Sequence, residues 1–401
     1  MPKEREASID GRISVMAAGE IETRPSLDRA PSSKAIAVDR TTEKHLFATL
    51  DGLRGIAALA VVTFHYRHML GPLVFPSAYL AVDLFFMISG IVIAHAYEHR
   101  LASGMTAVGF MGKRIVRLLP LYLAGLGVGA AVAILGLLLG VSAWNWAELL
   151  PVVLWGALML PNIFPAPRAD LYPLNIPCWS LFWEMVVNLA YVLALRRLRG
   201  RALIVVFVMA QITLAFAAQR AGGLDFGYRW QHPEIGLLRV IAGFSGGVLL
   251  ARFFKAGRLW RLRLPPPMIL IAAGALLALP ASLGWAKDVA CVALAFPLLC
   301  IAALGSEPRS AAPYLWLGTI SYPLYVIHAT LPWDRLAERL LHLAPEHFAP
   351  WSGLAATVGA VAAAWGLAHL YDTPVRRWVT GRIEARRIGS ETVSARFLPP
   401  V

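Results

Sequence analysis

Charge is scarce in this chain. Asp, Glu, Lys and Arg make up 15% of its 401 residues, against about 25% in a typical globular domain. With 58% of residues hydrophobic, that scarcity excludes both an ordinary soluble domain and a disordered polymer. Cysteine is nearly absent. Cys178, Cys291 and Cys300 form no CxxC or Cys/His spacing, which excludes a disulfide framework and a cysteine-bound metal, so they read as small apolar side chains. No RNA-binding or zinc-finger pattern accompanies the net charge of +13, so that charge is not read as a nucleic-acid surface. A secretory signal is missing too. Residues 1–45 carry eight Lys/Arg and eight Asp/Glu without a short apolar core, and are expected to be a disordered cytoplasmic tail.

What is present is a series of apolar runs about as long as a bilayer is thick. They fall near 51–69, 79–97, 115–139, 179–195, 202–219, 236–253, 267–284, 288–305, 314–332 and 351–371. The expected fold is therefore all-α: a polytopic membrane bundle of about ten helices with both termini cytoplasmic. That arrangement places twenty basic residues in the inner segments and seven in the outer ones, as the positive-inside rule requires. A further run, LLPVVLWGALML at 149–160, has twelve residues and reaches only about 18 Å, short of a core of about 30 Å. Counting it as a span would put RRLRGR at 196–201 outside, so it is expected to be re-entrant or interfacial. The expected organisation is a tail at 1–45, a membrane domain at 46–378 and a cytoplasmic tail at 379–401.

The first run, LDGLRGIAALAVVTFHY at 50–66, carries Arg54 and His65. Eleven helical residues turn about 1100°, within about 20° of three full turns. Both side chains therefore share one face, about 16 Å apart along the axis, with Arg54 at the cytoplasmic end. Polar residues inside spans are rare and face a cavity or one another. Depth counted along the other runs puts Asp83, Glu184, Arg239 and His328 in the same outer layer as His65. At the inner edge, Arg114 and Arg117 stand at i and i+3, where forked guanidinium groups suit phosphate. A basic mouth below a histidine–carboxylate layer fits a long ligand with an anionic head and a reactive far end, an acyl-CoA among others. A proton-coupled transporter would also use intramembrane His and carboxylates, although no second copy of the Arg54–His65 helix suggests an inverted repeat. A non-catalytic sensor or scaffold would need no aligned Arg–His pair.

Six stretches, in order, resemble the acyltransferase-3 family of membrane acyltransferases. LDGLRGIAALAVVTFHY resembles its first helix, whose hallmark is Arg, ten residues, then His. AVDLFFMISGIVIAHAY resembles its second helix, and KRIVRLLPLYL its Arg-x-x-Arg segment. WSLFWEMVVNLAY is similar to its Trp-Ser-Leu helix and LGTISYPLYVIH to its late Ser-Tyr-x-x-Tyr-x-x-His helix. YDTPVRRW resembles its closing Glu-x-Pro pattern, with Asp372 where Glu is commoner.

The resemblance covers about residues 46–378 and implies a stand-alone enzyme without an SGNH-type domain. Such an enzyme moves an acyl group, most simply acetyl, from cytoplasmic acyl-CoA to a hydroxyl of a surface polysaccharide or lipid-linked sugar. It implies a multi-pass protein of a bacterial inner membrane and no metal. His65 is then expected to act as general base or to accept the acyl group itself. Asp83 or Glu184 would fix its tautomer. Arg54, Arg114 and Arg117 would bind the coenzyme phosphates. Trp179, Tyr322 and Tyr325 are candidate donors to the thioester oxygen, and Arg239 and His328 candidate substrate contacts.

Overall fold

A computed structural model describes residues 47–396 apart from 260–261, 332, 334–337, 339–341 and 343. The tail expected over 1–45 lies outside the described residues. Within them the chain is helical, and its one β-type pairing is the isolated bridge between Asp170 and Arg229.

The Ala- and Val-rich stretch after Phe47 forms a single helix, α1 (Ala48–His65). Arg54 and His65 thus sit on one continuous element. α2 is Ala81–Ala102 and α3 is Ala107–Leu138; the Thr106 side chain caps α3 by accepting from the Gly109 N–H at 3.0 Å. α4 is Trp146–Ala157 and α5 is Trp179–Leu193. α6 (Gly200–Ala221), α7 (Pro233–Lys255) and α8 (Pro266–Leu277) follow. α9 is Ala281–Leu304, with a π-helical stretch at Cys291–Ala295, and α10 is Ala312–Ile327. α11 (Trp351–Leu367) runs through a π-helical stretch, Ala368–Asp372, into α12 (Thr373–Arg396). α12 crosses the boundary expected at 378 without a break.

Among the described residues, seven helical stretches are long and apolar enough to cross a membrane: those of α2, α3, α5, α6, α7 and α9, and Trp351–Ile383. The other three of the ten expected spans form α1, α8 and α10, with 18, 12 and 16 residues. The run at 149–160 lies mostly on α4, whose 12 residues span about 18 Å. The structure is thus an all-α polytopic bundle. Cys178, Cys291 and Cys300 are buried free thiols.

Two helix pairs form the centre, α2 with α7 and α1 with α10. Both rest on glycine, because lipid gives apolar surfaces no reason to associate and close backbone approach must supply the packing. A Cβ added at Gly247 of α7 would come within 2.0 Å of the Met87 carbonyl oxygen on α2. One added at Gly318 of α10 would meet the Asp51 side chain at 2.5 Å. The second contact positions the Arg54 end of α1, since Asp51 is the ion-pair partner of Arg54 at 3.3 Å.

Candidate active site

A cavity with about 890 Å³ of empty space, partly open to solvent, lies among α1, α2, α3, α5 and α10. Arg54, Arg114 and Arg117 line one end, Ser89 and Glu184 one wall, and Phe85 and Tyr325 the far end. Arg114 donates to the Glu184 carboxylate at 2.7 Å, and Ser89 donates to the same oxygen at 2.8 Å. Arg117 differs. Among the described residues it has no hydrogen-bond or ion-pair partner, and its guanidinium lies 5.9 Å from the Tyr322 ring centroid. Its nearest charges include three cations, Arg376, Arg54 and Arg114, and one carboxylate, Asp372. Asp372 itself is buried against Arg376. Four arginines stand against three carboxylates, Asp51, Glu184 and Asp372, each paired with one of the other three, which leaves the Arg117 charge and its guanidinium fork open.

At the other end the Phe85 and Tyr325 rings meet edge to face, with centroids 5.5 Å apart. The His328 ring follows 6.0 Å beyond Tyr325, and the His65 ring 4.8 Å beyond His328. Hydrogen-bond logic fixes both tautomers. His65 Nδ1 lies 2.8 Å from the Val61 carbonyl oxygen, which can only accept, so Nδ1 carries the proton. His328 Nδ1 faces the Leu324 carbonyl at 3.0 Å and is protonated for the same reason. The lone pair on His328 Nε2 then faces the His65 Nδ1–H at 3.3 Å. His65 Nε2 is left with a free lone pair on an exposed ring, the form a base or nucleophile needs.

The expected layer of His65, Asp83, Glu184, Arg239 and His328 does not form as drawn. The structure joins His65 to His328 but gives both carboxylates other partners. Asp83 is fully buried against Arg239, whose terminal nitrogen donates to it at 2.7 Å and whose Nε donates at 3.1 Å. Glu184 belongs with Arg114 in the cavity. Its depth was underestimated because α5 starts inside the bundle: Pro177, Cys178 and Trp179 are all buried. The groups orienting His65 are therefore the Val61 carbonyl and His328, rather than Asp83 or Glu184.

Two of the expected oxyanion donors, Tyr322 and Tyr325, are also engaged. Tyr322 donates its only hydroxyl proton to the Leu118 carbonyl. Tyr325 and Ser180 hydroxyls lie 2.8 Å apart and share the Pro177 carbonyl at 3.1 Å. Trp179 is buried, its ring 5.3 Å from the Arg239 guanidinium. Sequence reading missed Arg376 and Ser89. Arg376 had a readable signal, standing four residues after Asp372 on one helical face, whereas nothing local marks Ser89. Among the described residues no group of three His, Cys, Asp or Glu could hold a metal ion.

These features define an integral membrane helical bundle with a largely apolar cavity, basic at one end, and a pair of histidines beyond the aromatic rings that close the other. Residues 47–369 match the acyltransferase-3 family, described as an acyltransferase domain. A protein of Rhizobium radiobacter known as protein 2 in the picA locus is 38% identical over 183 residues, 43% of this chain and 94% of the relative. No solved structure matches. The match spans well over half of the chain, which therefore belongs to the acyltransferase-3 family and is a membrane acyltransferase. Family membership sets aside the transporter reading.

Proposed function

We propose that the protein transfers an acyl group, most simply acetyl, from acyl-CoA at the arginine end to a carbohydrate hydroxyl at the histidine end. The unpaired guanidinium of Arg117 carries this reading. A cation enclosed without a protein partner is costly, and a ligand anion removes that cost. Coenzyme phosphates suit the site, because guanidinium forks bind phosphate oxygens bidentately. Arg54, Arg114 and Arg376, each paired with a carboxylate, surround it, and Glu184 and Ser89 hold Arg114 in place. The excess of basic residues in the loops at this end faces it to the cytoplasm, where acyl-CoA is found.

The acyl arm lies along the cavity and reaches His65 by displacing the Phe85 and Tyr325 rings. His65 Nε2 takes the proton of the acceptor hydroxyl as that oxygen bonds to the thioester carbonyl carbon. The carbon–sulfur bond breaks, and the imidazolium returns the proton to the leaving thiolate. The products are an ester and the free coenzyme thiol. His328 and the Val61 carbonyl hold the imidazole in the reactive tautomer and accept from Nδ1–H more strongly once the ring is charged. Acyl transfer to His65 Nε2 before the acceptor arrives uses the same atom, and ping-pong kinetics would identify it.

The test is calorimetric binding of acetyl-CoA to the protein in lipid nanodiscs. Wild type should bind; Arg117→Ala should weaken binding strongly, and His65→Ala should leave it nearly unchanged. Absence of binding by wild type would remove the basis of the donor site.

A further inference from the structure

The far wall of the donor cavity differs from its sides. Between Ala81 and Ala94 of α2 every residue is buried except Phe85, Ser89 and Val92. They stand at i, i+4 and i+7, one stripe of the helix, and all three line the cavity. Phe85 is the member of that stripe nearest the histidines, and its ring meets the Tyr325 ring edge to face at 5.5 Å. His328 and His65 follow beyond Tyr325 and are not among the residues that line the cavity. The two rings therefore form an end wall between the arginine end and the reactive imidazole.

The aromatic side chains of this wall are held unequally. Tyr325 is buried, its hydroxyl 2.8 Å from Ser180 Oγ and 3.1 Å from the Pro177 carbonyl that accepts from it. Moving Tyr325 would strand polar groups in apolar surroundings. Phe86 is buried against Trp179, with ring centroids 6.5 Å apart. The α7 backbone also presses on it: a Cβ added at Gly243 would stand 2.9 Å from the Phe86 Cβ. Phe85 is only half-buried, carries no polar group and borders open cavity. It is thus the side chain whose size sets where the cavity ends.

Length decides what such a wall does. The lining on α2 runs from Val82 to Ile93, about 16 Å along the axis. The arm of coenzyme A between its phosphates and its sulfur is about as long as four extended residues, roughly 14 Å. With the phosphates at Arg117, the space left beyond the sulfur is about that of an acetyl group. A longer acyl chain must hold Phe85 displaced as soon as it binds. An acetyl group needs that ring displaced only when its carbonyl reaches His65. A cavity without an end wall would show the opposite trend, since each added methylene buried on apolar surface favours binding.

We propose that Phe85 limits the donor to short acyl groups, acetyl or propionyl, by ending the cavity about one acetyl length beyond the thioester sulfur. The proposal rests on the acyl-CoA reading above and adds to it the class of acyl group and the residue that selects it. Phe85 makes and breaks no bond; it discriminates through the cost of overfilling the cavity.

The experiment is calorimetric binding of acetyl-CoA and hexanoyl-CoA to the full chain in lipid nanodiscs, with empty nanodiscs as the blank for partitioning of the acyl chain. Wild type is expected to bind hexanoyl-CoA about tenfold more weakly than acetyl-CoA. Phe85→Ala should reverse that order, so that hexanoyl-CoA binds at least as tightly as acetyl-CoA, while acetyl-CoA affinity stays within about threefold of wild type. Phe85→Leu should fall between the two, and it carries the test should Phe85→Ala fail to fold. Wild type that binds hexanoyl-CoA as tightly as acetyl-CoA, or tighter, would overturn the proposal. So would a ratio of the two affinities that stays within about twofold of wild type in both variants. Either result leaves the donor site standing. Absence of binding of both thioesters to wild type is the separate failure of the donor reading, and the proposal falls with it.

Discussion

Arg239 and Arg117 are both enclosed guanidinium groups, yet the structure treats them oppositely. Arg239 is satisfied at every nitrogen: Asp83 takes Nε and one terminal nitrogen, and the Tyr79 and Phe226 carbonyls take the rest. Arg117 has no hydrogen-bonded or ion-paired acceptor among the described residues; the face of Tyr322, three arginines and the Arg376-paired Asp372 lie nearby. A buried cation with all donors matched is part of the scaffold, whereas one left open is waiting for an anion. The same test applies to the carboxylates. Asp83 and Glu184 are both paired, so neither is free to serve His65. In the proposed path the open Arg117 fork meets the donor and the paired groups hold the scaffold around it.

The sharpest way to break this comparison is to cut each arginine. Arg239→Ala strands Asp83 as a buried charge and is expected to destabilise the protein by about 3–5 kcal/mol. The joint change Arg239→Met with Asp83→Leu should recover most of that stability, because no buried charge is left without a partner. Thermal unfolding in nanodiscs reads both effects. Arg117→Ala removes about 1.5–3 kcal/mol of charge-assisted bonding to the donor, roughly a 10- to 100-fold loss of acetyl-CoA affinity. Stability should change little, since no hydrogen bond or ion pair is lost and the 5.9 Å approach to the Tyr322 ring is a weak contact. A stability loss in Arg117→Ala as large as that in Arg239→Ala would erase the distinction.

A smaller effect is expected at the histidine pair. His328→Ala removes one of the two acceptors of the His65 Nδ1–H and should lower kcat about tenfold, with acetyl-CoA affinity unchanged. An unchanged kcat would leave the Val61 carbonyl as the sole orienting group. Smallest is Glu184→Gln, which keeps an acceptor for Arg114 and Ser89 but removes one negative charge from the cavity. It should tighten acetyl-CoA binding by a few-fold at low salt, and added salt should shrink the difference.

Much of this was legible locally. Arg54 and His65 share one helix, so helical geometry alone placed them on one face about 16 Å apart. The Arg114/Arg117 pair follows from i, i+3 spacing on α3. Depth was legible only where a helix starts at the surface. It failed for Glu184 because the turn ahead of α5 is already buried. Long-range partnership was not legible at all. Asp83 and Arg239 are 156 positions apart, and His65 and His328 263 apart. Both pairs depend on which faces the helices turn toward one another.

The sequence by itself determined that this is a helical membrane protein, that its first helix carries an arginine and a histidine in line, and that its motifs follow the acyltransferase-3 pattern. Those properties depend on apolar length and helical period, which neighbouring residues set. Tertiary structure alone decided that Asp83 serves Arg239, that Glu184 serves Arg114, and that His328 meets His65. Azimuth around the bundle is set by glycine-mediated crossings such as Met87–Gly247 and Asp51–Gly318, and a one-dimensional pattern does not encode which faces meet.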